Sequence, residues 1–217
     1  MKKKEIKKEE KVEIIDKKKS NYTLLIVFGI LFIILSVLVF TGVMKPIDDA
    51  ITSYIIGIRN TKLTDKMINI TNIGGAYSLI VVSLLLLVFI KKKKIPLFII
   101  INLVSVFLTS QLLKIIFRRP RPDGLFLINE TGFSYPSGHA MVSFAYILFI
   151  IYILKGIKNN VVKVILSIFL IILALAIGFS RIYLGVHYFS DIIAAYFLSV
   201  CYISIFINFV NNKGYLK

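Results

Sequence analysis

Long uncharged runs of apolar residues, separated by clusters of lysine and arginine, constrain this chain more than any other feature. A helix needs about 20 consecutive apolar residues to cross a bilayer core. Six runs approach that length: residues 23–43, 74–90, 95–117, 138–154, 164–179 and 188–210. Apolar residues make up 58% of the 217, mean hydropathy is +0.86, and the excess is concentrated in these runs. The reading is an all-α, polytopic membrane protein with six transmembrane helices. There is no internal repeat and no second domain.

The net charge of +16 would suggest nucleic-acid binding in a soluble protein. Here the basic residues flank the runs, where they orient spans and grip anionic headgroups. Membrane lipids are therefore expected partners and nucleic acid is not. The single Cys201 lies within an apolar run, so it forms no internal disulfide and makes a poor metal site. No metal and no cofactor are expected, and no obligatory protein partner is implied.

Residues 1–22 alternate Lys with Glu and contain little that can bury, which reads as a charged cytoplasmic tail. The run after it is too long for a cleaved signal and lacks a small-residue cleavage site, so it reads as a retained first span. Residues 23–212 then form one six-helix membrane domain, and residues 213–217 a cytoplasmic C-terminal tail. Residues 45–73 mix Ile, Tyr and Met with Asp48, Asp49, Arg59, Lys62 and Asp65. Either an interfacial amphipathic helix or a solvated loop fits that mixture.

Six spans put both termini on one side. The tail, Lys91 to Lys94, the loop with Lys155, Lys158 and Lys163, and the C-terminus all fall there, which makes that side the cytoplasm. The chain is thus expected in the plasma membrane, with a site on the outer face, extracellular or periplasmic. That outer side carries Arg118, Arg119, Arg121 and Arg181, against the rule. A bound anion explains their retention.

Three outer segments hold the unusual residues. Lys114 stands near the end of an apolar run, where a lysine alone often just snorkels to the interface. The Arg118-Arg119-Pro120-Arg121-Pro122 run after it ends the helix and presents guanidinium forks suited to phosphate. In Tyr135-Pro136-Ser137-Gly138-His139, Ser137 is a candidate N-cap for the fourth span, and free N–H groups at a helix start favour an anion. Taken alone, it reads equally well as a capped turn with an interfacial His. In the third segment, His187 and Asp191 are four apart at a helix start, on one face, so the carboxylate can fix the ring tautomer. The chain's only two His residues both fall on this face, each beside another phosphate-competent group.

Together these segments resemble the three-part signature of the type-2 phosphatidic acid phosphatase family, which also includes the vanadium-dependent haloperoxidases. That signature runs K-x6-R-P, P-S-G-H, S-R-x5-H-x3-D. Here Lys114 pairs with Arg121-Pro122; Pro136, Ser137, Gly138 and His139 follow; Ser180-Arg181, His187 and Asp191 complete it. Arg119-Pro120 is too close to Lys114 to be the motif's Arg-Pro, so Arg118 and Arg119 are expected to support a substrate headgroup. The size resembles the small bacterial members of phosphatidylglycerophosphatase B and undecaprenyl pyrophosphate phosphatase type.

The resemblance implies a metal-independent lipid phosphatase. Lys114, Arg121, Ser137, Gly138 and Arg181 would bind phosphate; His187 would be the nucleophile, Asp191 its orienting acid, His139 the general acid and base. Asp123, Glu130 and Asp191 are not grouped at metal-ligand spacing. Phosphatidylglycerophosphate is the favoured substrate; phosphatidate and undecaprenyl pyrophosphate are alternatives. Transfer to an acceptor other than water would use the same residues. A membrane transporter is the rival from another class, against which stands the clustering of charge on one face.

Overall fold

The computed structural model describes residues 22–212. The two charged tails therefore lie outside the described residues, apart from Tyr22. Eight helices follow one another: α1 Tyr22–Phe40, α2 Lys45–Gly57, α3 Thr61–Ile73, α4 Ala76–Phe89, α5 Lys94–Phe117, α6 Gly138–Leu154, α7 Asn160–Tyr183 and α8 Phe189–Asn212. Among the described residues there is no strand.

Local chemistry sets several of these boundaries. The Asn60 side chain accepts the Leu63 N–H and starts α3; Asn159 does the same for Val161 and Val162 at the head of α7. Pro96 sits in the first turn of α5, where its missing N–H costs nothing. At the other end of α5, Arg118 turns left-handed (φ 48°) and Pro120 and Pro122 prevent the helix from resuming.

Helices α1, α5, α7 and α8 are each long and apolar enough to span a bilayer. Helix α4 reaches that standard only with α3, across a 47° bend, so the described residues give four such spans, or five with the bent pair. The run at residues 74–90 was expected as a free-standing span; in the structure its helix is 14 residues long, and Gly74 and Gly75 separate it from α3. The expected fourth span is the apolar helix α6, whose 17 residues rise about 26 Å, a little short of a bilayer core of about 30 Å.

Helix α6 packs against α5, α7 and α8 and forms the centre of the bundle. Ala140 and Ala145 on α6, with Ala194 and Ala195 on α8, are fully buried, and such small side chains let backbones approach closely. Val106, Met141, Phe149, Tyr183 and Phe206 fill the core around them. Apolar side chains of α1, α4 and α7 point outward in numbers, as lipid-facing helices require.

Residues 45–73 are neither a loop nor one surface helix. They form two helices: α3 lies along α7, and α2 touches α7 and α8. Arg59, between them, donates to Tyr183 O (3.0 Å) and Leu125 O (3.2 Å), which ties this pair to the end of the bundle that carries Arg121 and His187.

Candidate active site

The three charged segments meet at one end of the bundle. After α5, the chain doubles back: Ser134 N–H donates to Arg119 O (2.8 Å) and Ser134 Oγ to Pro120 O (2.8 Å). This closes residues 119–134 into a compact loop over α6 and α8. Between α7 and α8, Gly185 adopts φ +78°, and a Cβ there would lie 2.1 Å from Leu125 O. Only glycine allows this sharp, crowded turn, which delivers His187 to the head of α8.

Arg121 is nearly buried and held by three backbone carbonyls: Gly132 (3.1 Å), Thr131 (3.0 Å) and Val186 (2.8 Å). Its Nη1 also stands 3.2 Å from His187 Nε2. A guanidinium can only donate, so Nε2 must be the unprotonated nitrogen. His187 Nδ1, 3.3 Å from Asp191 Oδ2, then carries the proton. Burial, and after it the charges of Arg181, Lys114 and Arg121, push the His187 pKa well below its ordinary value, so the ring is neutral. The lone pair of Nε2 is thereby kept on the Arg121 side.

Arg181 is 1% exposed. Its Nη1 donates to Thr71 Oγ1 of α3 (2.9 Å), and its Nη2 pairs with Glu130. Glu130 also reaches Arg121 with its other oxygen at 3.5 Å. Burial raises the Glu130 carboxyl, but Arg181 and Arg121 outweigh it and hold its pKa below the usual carboxylate range. One carboxylate thus bridges the two arginines that were expected to bind phosphate.

Gly138 opens α6 close against α5: a Cβ on it would stand 3.2 Å from Ser110 Oγ and 3.4 Å from Lys114 Cε. Lys114 Nζ donates to Phe133 O at 2.9 Å, so it is drawn into the site rather than merely snorkelling. Ser137 occupies the N-cap position but its hydroxyl bonds none of the first-turn N–H groups. Among the described residues, no hydrogen-bond partner reaches the buried Ser137 Oγ, Ser110 Oγ or Arg181 Nε. Such orphaned groups are costly unless something else satisfies them.

A cavity of about 400 Å³ adjoins this cluster. Lys114, Arg121, Glu130, Thr131, Gly138 and His139 line its polar end; Ala76, Phe107, Ile115 and Val142 line its apolar side. Phe107 and Ile115 belong to the outward-facing surface of α5. The cavity joins a cationic floor to a greasy flank.

Arg119 behaves differently from expectation. It does not face a headgroup but turns inward, donating to Asp191 Oδ1 (2.6 Å), Ser190 Oγ (2.8 Å) and Asp48 Oδ2 (2.8 Å). Burial opposes its charge, but the two carboxylates outweigh that and raise its pKa. The reason is electrostatic: Asp191 is fully buried, and a buried carboxylate needs a partner close by. Arg118 stays exposed.

The structure therefore brings together all eight expected residues: Lys114, Arg121, Ser137, Gly138, His139, Arg181, His187 and Asp191. It adds Glu130, Thr71 and Asp48. Glu130 carried one weak signal, as one of two acids, with Asp123, in the loop between two phosphate-competent segments. Thr71 and Asp48 carried none. Among the described residues, no three His, Cys, Asp or Glu side chains group as metal ligands.

Comparison with known proteins places the chain in a family. The sequence model of the PAP2 superfamily matches residues 94–215, and the chain belongs to that family. Phosphatidylglycerophosphatase B of Bacillus subtilis is 29% identical over 174 residues, covering 78% of this chain and 86% of the relative. An undecaprenyl-diphosphatase of Sulfolobus acidocaldarius is 28% identical over 148 residues, covering 63% and 65%. The crystal structure of a transmembrane PAP2-type phosphatidylglycerolphosphate phosphatase from Bacillus subtilis superposes with a TM-score of 0.79 at 25% identity, over 87% of this chain and 96% of that one. Aquifex aeolicus LpxE shares the fold, with a TM-score of 0.56 at 24% identity over 73% and 93%. The apolar helices and this homology make the chain a membrane protein.

Proposed function

We propose that this protein is a metal-independent lipid phosphatase that works through a phosphohistidine at His187. The observation that carries the reading is the pair of contacts on the His187 ring, Arg121 Nη1 at Nε2 (3.2 Å) and Asp191 Oδ2 at Nδ1 (3.3 Å), which together favour an unprotonated Nε2 facing the cationic cluster.

The proposed steps are these. A phosphate entering the cluster displaces Glu130 from Arg121 and Arg181 and takes up the orphaned donors Arg181 Nε and Ser137 Oγ, the Gly138 N–H and Lys114. Arg121 releases Nε2 and turns its N–H to a phosphate oxygen. Nε2 attacks phosphorus; the bond to the lipid oxygen breaks, and His139 supplies that oxygen with a proton. Asp191 balances the positive charge on the phosphorylated imidazole. His139 then takes a proton from water, whose oxygen attacks phosphorus and breaks the P–N bond. Fixed cations stabilise the equatorial oxygens in both steps.

The apolar flank of the cavity favours a lipid leaving group. The name of the Bacillus subtilis relative, phosphatidylglycerophosphatase B, supports phosphatidylglycerophosphate as the substrate of this chain; phosphatidate is a second candidate of the same kind. The Sulfolobus relative, an undecaprenyl-diphosphatase, supports undecaprenyl pyrophosphate as the alternative. The six-crossing path, plasma-membrane location, cytoplasmic termini and outward-facing site belong to this proposal, supported by the distribution of lysines along the chain.

The test is phosphate release from each of the three lipids by detergent-purified protein in excess EDTA. Release by wild type and none by His187→Ala supports the reading, and the rates rank the lipids. No release from any of them by folded wild type overturns it.

A further inference from the structure

Asp48 lies in the first turn of α2 and is fully buried. Helix α2 precedes the segment that matches the family model, and no sequence motif includes Asp48. A carboxylate in such a place survives only with close partners. Asp48 has three: Ser190 N–H at 2.9 Å on Oδ1, and Ser190 Oγ (2.6 Å) and Arg119 Nη2 (2.8 Å) on Oδ2.

Arg119 passes the connection on. Its Nη1 holds Asp191 Oδ1 at 2.6 Å, while Asp191 Oδ2 accepts the Tyr188 N–H (3.0 Å) and faces His187 Nδ1 (3.3 Å). The guanidinium also lies over the Tyr188 ring, 4.1 Å from its centre. A carboxylate, a guanidinium, a second carboxylate and an imidazole stand in line.

We propose that Asp48 is a positioning residue for His187, acting through Arg119. The inference rests on the nucleophilic role given to His187 above. Its logic is a charge count. Asp48, Arg119 and Asp191 together carry a net charge of −1 beside His187. Without the Asp48 charge the group sums to zero, and the imidazole loses its counter-charge when it accepts the phosphoryl group. Geometry points the same way. Arg119 spans two carboxylates with one nitrogen on each. Freed from Asp48, it would bring both nitrogens to Asp191 and draw that carboxylate away from Nδ1. Asp48 never meets the substrate, so its effect belongs in kcat rather than in KM.

A purely structural role would look different. Asp48 also tethers α2 to the head of α8 through Ser190. Three variants separate the two roles. Asp48→Asn keeps the shape and removes the charge. Arg119→Lys keeps a cation but cannot span two carboxylates, and it serves as the test if Asp48→Asn does not fold. Ser190→Ala weakens the tether and leaves all the charges. The measurements are kcat and KM for lipid phosphate in detergent and the melting temperature of each variant. Asp48→Asn and Arg119→Lys are expected to lower kcat by about 10- to 100-fold, the cost seen when an outer-shell partner is lost, with KM little changed. Ser190→Ala is expected to lower the melting temperature with a far smaller loss of kcat. Wild-type kcat in a folded Asp48→Asn or Arg119→Lys protein, or an equal kcat loss in Ser190→Ala, overturns the inference and leaves the phosphatase reading standing. No phosphate release by folded wild type overturns both.

Discussion

In front of His187, Arg121 and Arg181 share a single carboxylate, Glu130; behind it, a single Arg119 stands between two, Asp48 and Asp191. The front has cations to spare and polar atoms without partners, Arg181 Nε and Ser137 Oγ. The back has every charge answered. An unfinished network is expensive inside a protein unless a ligand completes it. A finished one is rigid and holds a ring in place. Under the proposed mechanism, the unfinished side is the one that receives phosphate and the finished side is the one that aims His187. Variants of the front should change how phosphate binds, and variants of the back how fast the chemistry runs.

The largest effect falls where the two sides meet. His187→Ala removes the nucleophile and is expected to lower kcat by at least about 10⁴-fold, as loss of a triad member does; release assays on the favoured lipid measure it. Asp191→Asn tests the back. It is expected to lower kcat by about 10³- to 10⁴-fold, because an amide can no longer hold the Nδ1–H tautomer or balance the phosphorylated ring. Arg181→Lys tests the front. A lysine cannot keep the Thr71 bond and also present a planar N–H fork to the phosphate, so kcat/KM should fall by about 10²- to 10³-fold with KM raised. A variant of the back that raised KM alone would break the comparison.

A smaller effect sharpens it. Glu130→Gln removes the internal anion from the front, so orthophosphate should inhibit at concentrations lower by about 5-fold or more. The same change alters stability. The folded-state pKa of Glu130 is depressed, so its pairing stabilises the protein above the ordinary glutamate range and is lost as pH falls through the depressed value. Wild-type melting temperature should therefore drop at acidic pH by more than that of Glu130→Gln.

Much of this site was legible because its partners are close in sequence. Lys114 and Arg121 bracket one helix end, and His187 and Asp191 are one helical turn apart. The residues that complete it come from afar. Asp48 is 71 positions from Arg119, and Thr71 is 110 from Arg181, so packing alone brings them together. Arg119 misled for the same reason: its neighbours in sequence are cations and prolines, and its carboxylates arrive from α2 and α8. Hydropathy located the apolar helices well but read residues 45–73 poorly. Neither α2 nor α3 carries a long apolar run, and their burial depends on what α7 and α8 present to them. Ser137 sits at the N-cap position as its sequence suggested, yet its hydroxyl caps no N–H group, which no local pattern foretells.

The account stands or falls on the phosphorylated His187, and rapid quenching of the enzyme with lipid labelled at its phosphate tests this most directly. The expected result is label on the protein that is stable in base, labile in acid and absent from His187→Ala. A folded enzyme that releases phosphate with no protein-bound label at any quench time, or with label that persists in His187→Ala, would contradict it.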